Sequence, residues 1–156
     1  MASATVPLIG DRLYAINQLL TVSGYNLSAR RYSPTNLDSG MMPLLVPVWL
    51  RQSISVPQAG ASIFSGERQW DIRLYCGDWM MGVPSESAQK VAEACIDPLV
   101  ALYVARPRLE LNHAPLDGVQ IVVVQEDAGL TSDETGTLAL LRLPLLIRAT
   151  YSFSFA

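Results

Sequence analysis

The run Arg68-Gln69-Trp70-Asp71-Ile72-Arg73-Leu74-Tyr75-Cys76-Gly77 decides the fold class. In it Trp70, Ile72, Leu74 and Cys76 alternate with Gln69, Asp71, Arg73 and Tyr75. A strand turns successive side chains to opposite faces, so this spacing predicts a strand over 68–77 with one apolar and one polar face. Asp71 and Arg73 share the polar face. That placement suits a cross-strand or intersubunit ion pair better than acid–base chemistry.

Downstream, Gly77-Asp78-Trp79-Met80-Met81-Gly82-Val83-Pro84 reads as a loop carrying three large apolar residues. Ser85 is a favourable N-cap and Glu86 a favourable first-turn residue, so a helix is expected from there to about Arg106. Val91, Cys95, Leu99 and Leu102 define its apolar face. Pro98 predicts a kink or a new turn, and Pro107 the end. After a turn at Pro115, Asp117 and Gly118, the nearly continuous apolar run Val119 to Val124 predicts a strand buried on both faces. Residues 125–136 read as an acidic, turn-rich loop, and 138–143 as a short strand or helix stub. From Leu145 to Phe155, Leu145, Ile147, Ala149, Tyr151, Phe153 and Phe155 alternate with polar residues, a final strand.

Upstream, Ile9, Leu13, Ile16 and Leu20 follow a 4-3-4 spacing and predict an amphipathic helix over 8–21. Residues 25–43 are rich in turn formers, and so long an irregular stretch points to a functional or partner-ordered loop. Residues 44–56 read as a strand, and Pro47 places it at a sheet edge, because proline cannot donate to a ladder. The order helix, strand, strand, helix, strand, strand predicts a single α+β domain over 1–156. A mostly antiparallel sheet of about four strands would carry the N-terminal helix and one long central helix on one face.

Composition narrows the function. The 156 residues are 50% hydrophobic and 16% charged, with a formal net charge of -3, against about 25% charged in an average soluble protein. Bulk-charge binding of nucleic acid is unlikely on that balance. Two cysteines, Cys76 and Cys95, argue against a disulfide framework or a four-ligand zinc site, and one histidine, His113, excludes a multi-histidine centre. The first eleven residues lack the charge and apolar run of a secretory signal, and no stretch of about 18 apolar residues occurs. The expectation is an intracellular, reducing setting without a membrane span.

The sequence offers little chemistry. Gly60-Ala61-Ser62-Ile63-Phe64-Ser65-Gly66 has the wrong spacing for a nucleophile elbow. Cys76 and Cys95 fall on apolar faces, where thiols serve as small hydrophobes. His113 lies in a turn and reads as solvent-facing or carbonyl-bonded. Glu126, Asp127, Asp133 and Glu134 lack the cadence of a calcium loop. No catalytic, cofactor or metal residue is therefore assigned. The features that suggest contact are Trp79, Met80 and Met81 in their loop, Met41 and Met42 at the end of the long arm, and Pro47 and Trp49 on the edge strand. Trp and Met are enriched in interface cores.

The whole layout resembles the tail terminator proteins, also called tail completion or head–tail joining proteins, of long-tailed bacteriophages. The resemblance rests on the N-terminal helix, the long variable stretch, the strand Arg68 to Tyr75, the helix Ser85 to Arg106, and the strands Val119 to Val124 and Leu145 to Phe155. It covers essentially the full chain through element order and size. Pro98 and the 125–137 loop depart from the pattern. The resemblance implies a structural virion protein, a homohexameric ring capping the tail tube. Its partners would be the tail tube protein on one rim and the head connector on the other, with DNA passing the lumen unread. It also implies virion localisation after assembly in the host cytoplasm, and no cofactor. The acidic loop of Glu126, Asp127, Asp133 and Glu134 would face the lumen and repel phosphates. Alternatives are another neck, connector or tail-like-particle component, or, in a different class, a small apolar-ligand-binding domain or a hydrolase.

Overall fold

A computed structural model describes residues 2–5, 8–55, 63–124 and 129–155. Two helices and a mostly antiparallel sheet make an α+β fold. The strands are β1 (Ala2–Thr5), β2 (Ser28–Ala29), β3 (Leu44–Ser55), β4 (Ile63–Met80), β5 (Val83–Pro84), β6 (Val119–Val124), β7 (Thr131–Ser132) and β8 (Leu138–Phe155). The helices are α1 (Ile9–Asn17) and α2 (Glu86–Val104). The main path runs β1-β8-β4-β3-β2. β4 and β8 form the long central pair, and the outer edge of β8 is lined in turn by β7, β6 and β1. β5 pairs only with the end of β4, and β2 runs parallel to β3.

The expectation of about four strands is corrected to seven in the main sheet plus the two-residue β5. The extra elements are mostly two to four residues long, too short to show a period. Three boundaries also differ. The alternating strand begins at Ile63 and continues to Met80, taking in most of the expected 77–84 loop. The expected stub at 138–143 and the strand at 145–155 are one strand of 18 residues. α1 stops at Asn17, and the irregular 25–43 stretch contains β2 and a 3-10 turn at Ser39–Met41.

The helix face carries the main core. Ile9, Leu13 and Ile16 of α1 and Ala88, Val91, Ala92, Cys95, Leu99 and Tyr103 of α2 pack on Trp70, Ile72, Leu74 and Cys76 of β4 and on alternate residues Leu141 to Ala149 of β8. The predicted apolar face of β4 is thus the one that the helices cover. In α2 the fully buried residue near the end is Tyr103, while Leu102 is only half-buried. The Tyr103 hydroxyl donates to Asn17 Oδ1 at 2.6 Å, tying the end of α2 to α1. Ser85 caps α2 as expected, accepting from the Ala88 N–H at 3.2 Å. The kink or new turn expected at Pro98 does not divide the helix, which runs unbroken over Glu86–Val104; packing on the sheet outweighs the one lost helical hydrogen bond.

Val119 to Val124 is not a strand buried on both faces. It pairs with β8 alone, and Gln120, Val122 and Val123 are exposed. A bulge between Ile121 and Val123 bends it at the edge, as is common there. The edge reading of Pro47 does hold. The Arg30 N–H bonds the Leu45 carbonyl, so the N–H and C=O of Leu45 point outward, and Pro47 two residues on points the same way. β2 ends opposite Leu45, so the missing Pro47 N–H interrupts no ladder.

Candidate functional site

The residues with catalytic potential are placed for packing. Cys76 and Cys95 are both buried free thiols. Burial pushes the Cys76 thiol up to about 12 and raises Cys95 as well. Neither supplies a thiolate at neutral pH. His113 is exposed in the turn closed by the Leu111–Ala114 bridge, with Asn112 and His113 both at positive φ. Among the described residues no group of three or more His, Cys, Asp and Glu converges as a metal site. No helix among them is long and apolar enough to cross a membrane.

The polar face of β4 carries a charged strip instead. Asp71 is fully buried, and its Oδ2 accepts from Arg142 Nε of β8 at 2.7 Å and from the Arg142 Nη2 as well. Arg142 lies directly opposite Arg73, so the Asp71 pair is diagonal across the strands, the cross-strand ion pair that the spacing suggested. Arg73 meets Glu134 at 3.3 Å. Asp133 holds its own turn. Its carboxylate accepts from the Thr135 hydroxyl at 2.7 Å and from the Thr137 and Leu138 N–H groups. Although partial burial opposes it, these donors hold the Asp133 carboxyl below the usual range. Glu126 and Asp127 lie outside the described residues, so of the four acidic residues two are placed, one pairing an arginine and one building a turn.

The residues singled out for contact separate into two groups. Pro47 is buried, Trp79 packs half-buried against the main core, and Met42 packs on a second small cluster with Leu44, Val46, Tyr75, Leu138 and Leu140. Met41 is half-buried. Trp49, Met80 and Met81 are exposed, Met81 completely. Met81 and Gly82 form the tip of the β4–β5 hairpin with φ of 54° and 81°. Two successive positive φ values match the two-residue turn that follows the natural strand twist. Glycine adopts this freely and methionine does not, so an apolar side chain is held at the tip in a conformation it disfavours. Val83 beside it is also exposed.

Sheet length sets a further feature. The 18 residues of β4 and of β8 span roughly 60 Å at the rise of a strand. The 19 residues of α2 span about 28 Å. α2 therefore covers about half of the central pair. Beyond it the ends of β3, β4 and β8, joined by β1, form a strand arm. On it Leu50, Arg51, Gln52, Ser53, Ile63, Ser65, Thr150 and Ser152 are exposed.

On the helix face, where the arm begins, Trp49 and Trp70 are directly paired across β3 and β4. With Pro47, Gln52 and Arg68 they floor a cleft of about 500 Å³, walled by Arg31 and Tyr32 from the segment after β2. A second hollow of about 310 Å³ shares Arg31, Tyr32, Arg68 and Trp70 and reaches Gly10 and Asp11 in the first turn of α1. Sequence reasoning missed this cleft, because Arg31, Trp49 and Trp70 come together only through the β3–β4 register and the β2–β3 pairing. No known protein family matches the chain, and no curated protein matches it.

Proposed function

We propose that the chain is a structural protein of a phage virion, forming a ring at the end of the tail tube that stops tube growth and joins the tail to the head connector. The observation that carries this reading is the strand arm. A sheet twice as long as the helix α2 above it, with a β3 edge that is free beyond β2 among the described residues and an exposed Met80-Met81-Gly82-Val83 hairpin, suits burial against other subunits better than solitary life in water. The order of elements supports it through the resemblance to tail terminators. The partners would be further copies of the chain, the tube protein and the connector, with DNA passing unread. Buried thiols and a turn-bound His113 favour this structural role over a hydrolase.

The acidic loop refines the lumen proposal. The Asp133 carboxylate keeps its charge while it organises its turn, and Glu134 shares its charge with Arg73, so a charge reversal that spares the turn uses Glu126, Asp127 and Glu134. Changing these three to Lys is expected to impair DNA passage while rings still form; normal infectivity would remove the lumen placement. For the function itself, electron microscopy of particles labelled through an epitope tag on this chain is expected to show label at the tail–head junction. Label elsewhere, or none on particles, would overturn the reading.

A further inference from the structure

We propose that the cleft between Trp49, Trp70, Arg31 and Arg68 is a binding site for a flat organic anion, an aromatic ring carrying a phosphate or a carboxylate. This goes beyond the ring proposal and does not depend on it.

Three features of the cleft converge on that chemistry. The first is an aromatic platform. Trp49 is 55% exposed and Tyr32 71% exposed, while Trp70 beside them is buried in the core wall. Two large rings left open to water at one cleft offer stacking surface for a planar group. The second is positive charge held in place. The Arg31 guanidinium lies 4.3 Å from the Tyr32 ring centre and 5.8 Å from that of Trp70. Its Nε donates to Asp11 at 2.8 Å, which leaves the forked end of the group with further N–H donors. Gly10 makes this fit possible, since a Cβ there would stand 2.1 Å from the Arg31 Nη2 and 2.7 Å from the Trp70 ring. Arg68 adds a second guanidinium to the lining of both hollows.

The third feature is a set of donors that lack acceptors. Trp70, which lines both hollows, has a buried indole N–H with no hydrogen-bond partner among the described residues. The N-cap of α1, Leu8, provides no side-chain hydrogen bond to the first N–H groups of the helix, and these carry the positive end of the helix dipole. The first turn of α1 lines the adjoining hollow. An anionic group seated between Arg31, Arg68 and that turn would meet donors on several sides, with its ring lying on Trp49.

The test uses the full chain and four probes: adenosine 5′-monophosphate, indole-3-acetate, adenosine and inorganic phosphate. Binding is read by titration calorimetry and by quenching of tryptophan fluorescence. At least one of the two aromatic anions is expected to bind saturably and at least about tenfold tighter than adenosine or phosphate alone, since adenosine lacks the anionic group and phosphate lacks the stacking ring. Which of the two binds identifies the phosphate or the carboxylate as the anionic group. Trp49→Ala and Arg68→Gln, each confirmed folded by its thermal melt, are each expected to weaken that binding about tenfold. No saturable binding of either aromatic anion, equal binding of inorganic phosphate, or unchanged affinity in both variants would overturn the assignment.

Discussion

On one face of β4, Trp70, Ile72, Leu74 and Cys76 are buried under two helices; on the other, Asp71 is equally buried with no helix above it. The two faces reach burial by different means. On the helix face these four β4 residues are apolar and gain from the removal of hydrocarbon from water. The opposite face uses the long side chains of Arg142 and Arg73 and the small cluster around Tyr75, with Leu37, Met42 and Val48 packed against it. From Trp70 to Cys76 the helix face is therefore sealed by the protein's own helices. The other is sealed at one end only and gives way to exposed Arg148 and Glu67 farther along the arm. A strand pattern reports which side of a sheet is apolar, and the polar side can still be structural.

That contrast orders the expected effects of substitution. Leu74→Ala cuts into the sealed face and is expected to destabilise by about 3 kcal/mol in urea unfolding, within the usual range for a buried leucine. A cost below about 1 kcal/mol would mean that the helices do not pack on Leu74. Asp71→Asn keeps the shape but removes the charge facing Arg142, and should cost about 2 kcal/mol. Replacing both partners, Asp71→Leu with Arg142→Met, should recover most of that loss, because an apolar pair of similar size removes the desolvation cost. If the double variant is no better than the single one, the strip does more than fill space.

Cys76 gives the pH dependence of the sealed face. Its folded value is raised to about 12 from an ordinary value of 9.0, so the folded state retains a proton that the unfolded chain releases. The stabilisation is complete below pH 9 and is lost as the pH climbs from there towards 12. Cys76→Ala should flatten that alkaline loss in a pH series of melts. An unchanged slope would place the Cys76 thiol in contact with solvent. The smallest effect belongs to the bare face: Arg148→Ala removes an exposed pair at 3.5 Å and should change stability by less than about 0.5 kcal/mol. A larger loss would show that the arm is closed over in the isolated chain.

The sequence was most legible where side chains repeat with a clean period. The alternation from Trp70 to Cys76 named the buried face of the central strand, the Ile9, Leu13 and Ile16 spacing named the inner face of α1, and Ser85 named the start of α2. It was least legible where burial depends on neighbours distant in the chain. Val119 to Val124 looks central because it is apolar, yet only pairing partners decide whether a strand is central, and β6 has one. The hairpin at Met81-Gly82 was hidden because methionine is not a turn former, so 77–84 read as a loop instead of the end of one strand and the start of another. Tyr103 was missed because a pattern of apolar residues does not reveal that its hydroxyl has Asn17 to bond. The aromatic–arginine cleft draws on three separate segments and has no local signature at all.

On the ring proposal, the strand arm and the Met81 hairpin are surfaces for other copies of this chain. Light scattering behind size-exclusion chromatography, run over a series of concentrations on the chain and on Met81→Asp, tests it directly. The account predicts a mass rising with concentration towards about six times the 17.0 kDa of one chain, and a fall towards the single-chain mass in the variant, because a buried unpaired carboxylate opposes association. A mass of 17.0 kDa for the unaltered chain at every concentration would contradict it.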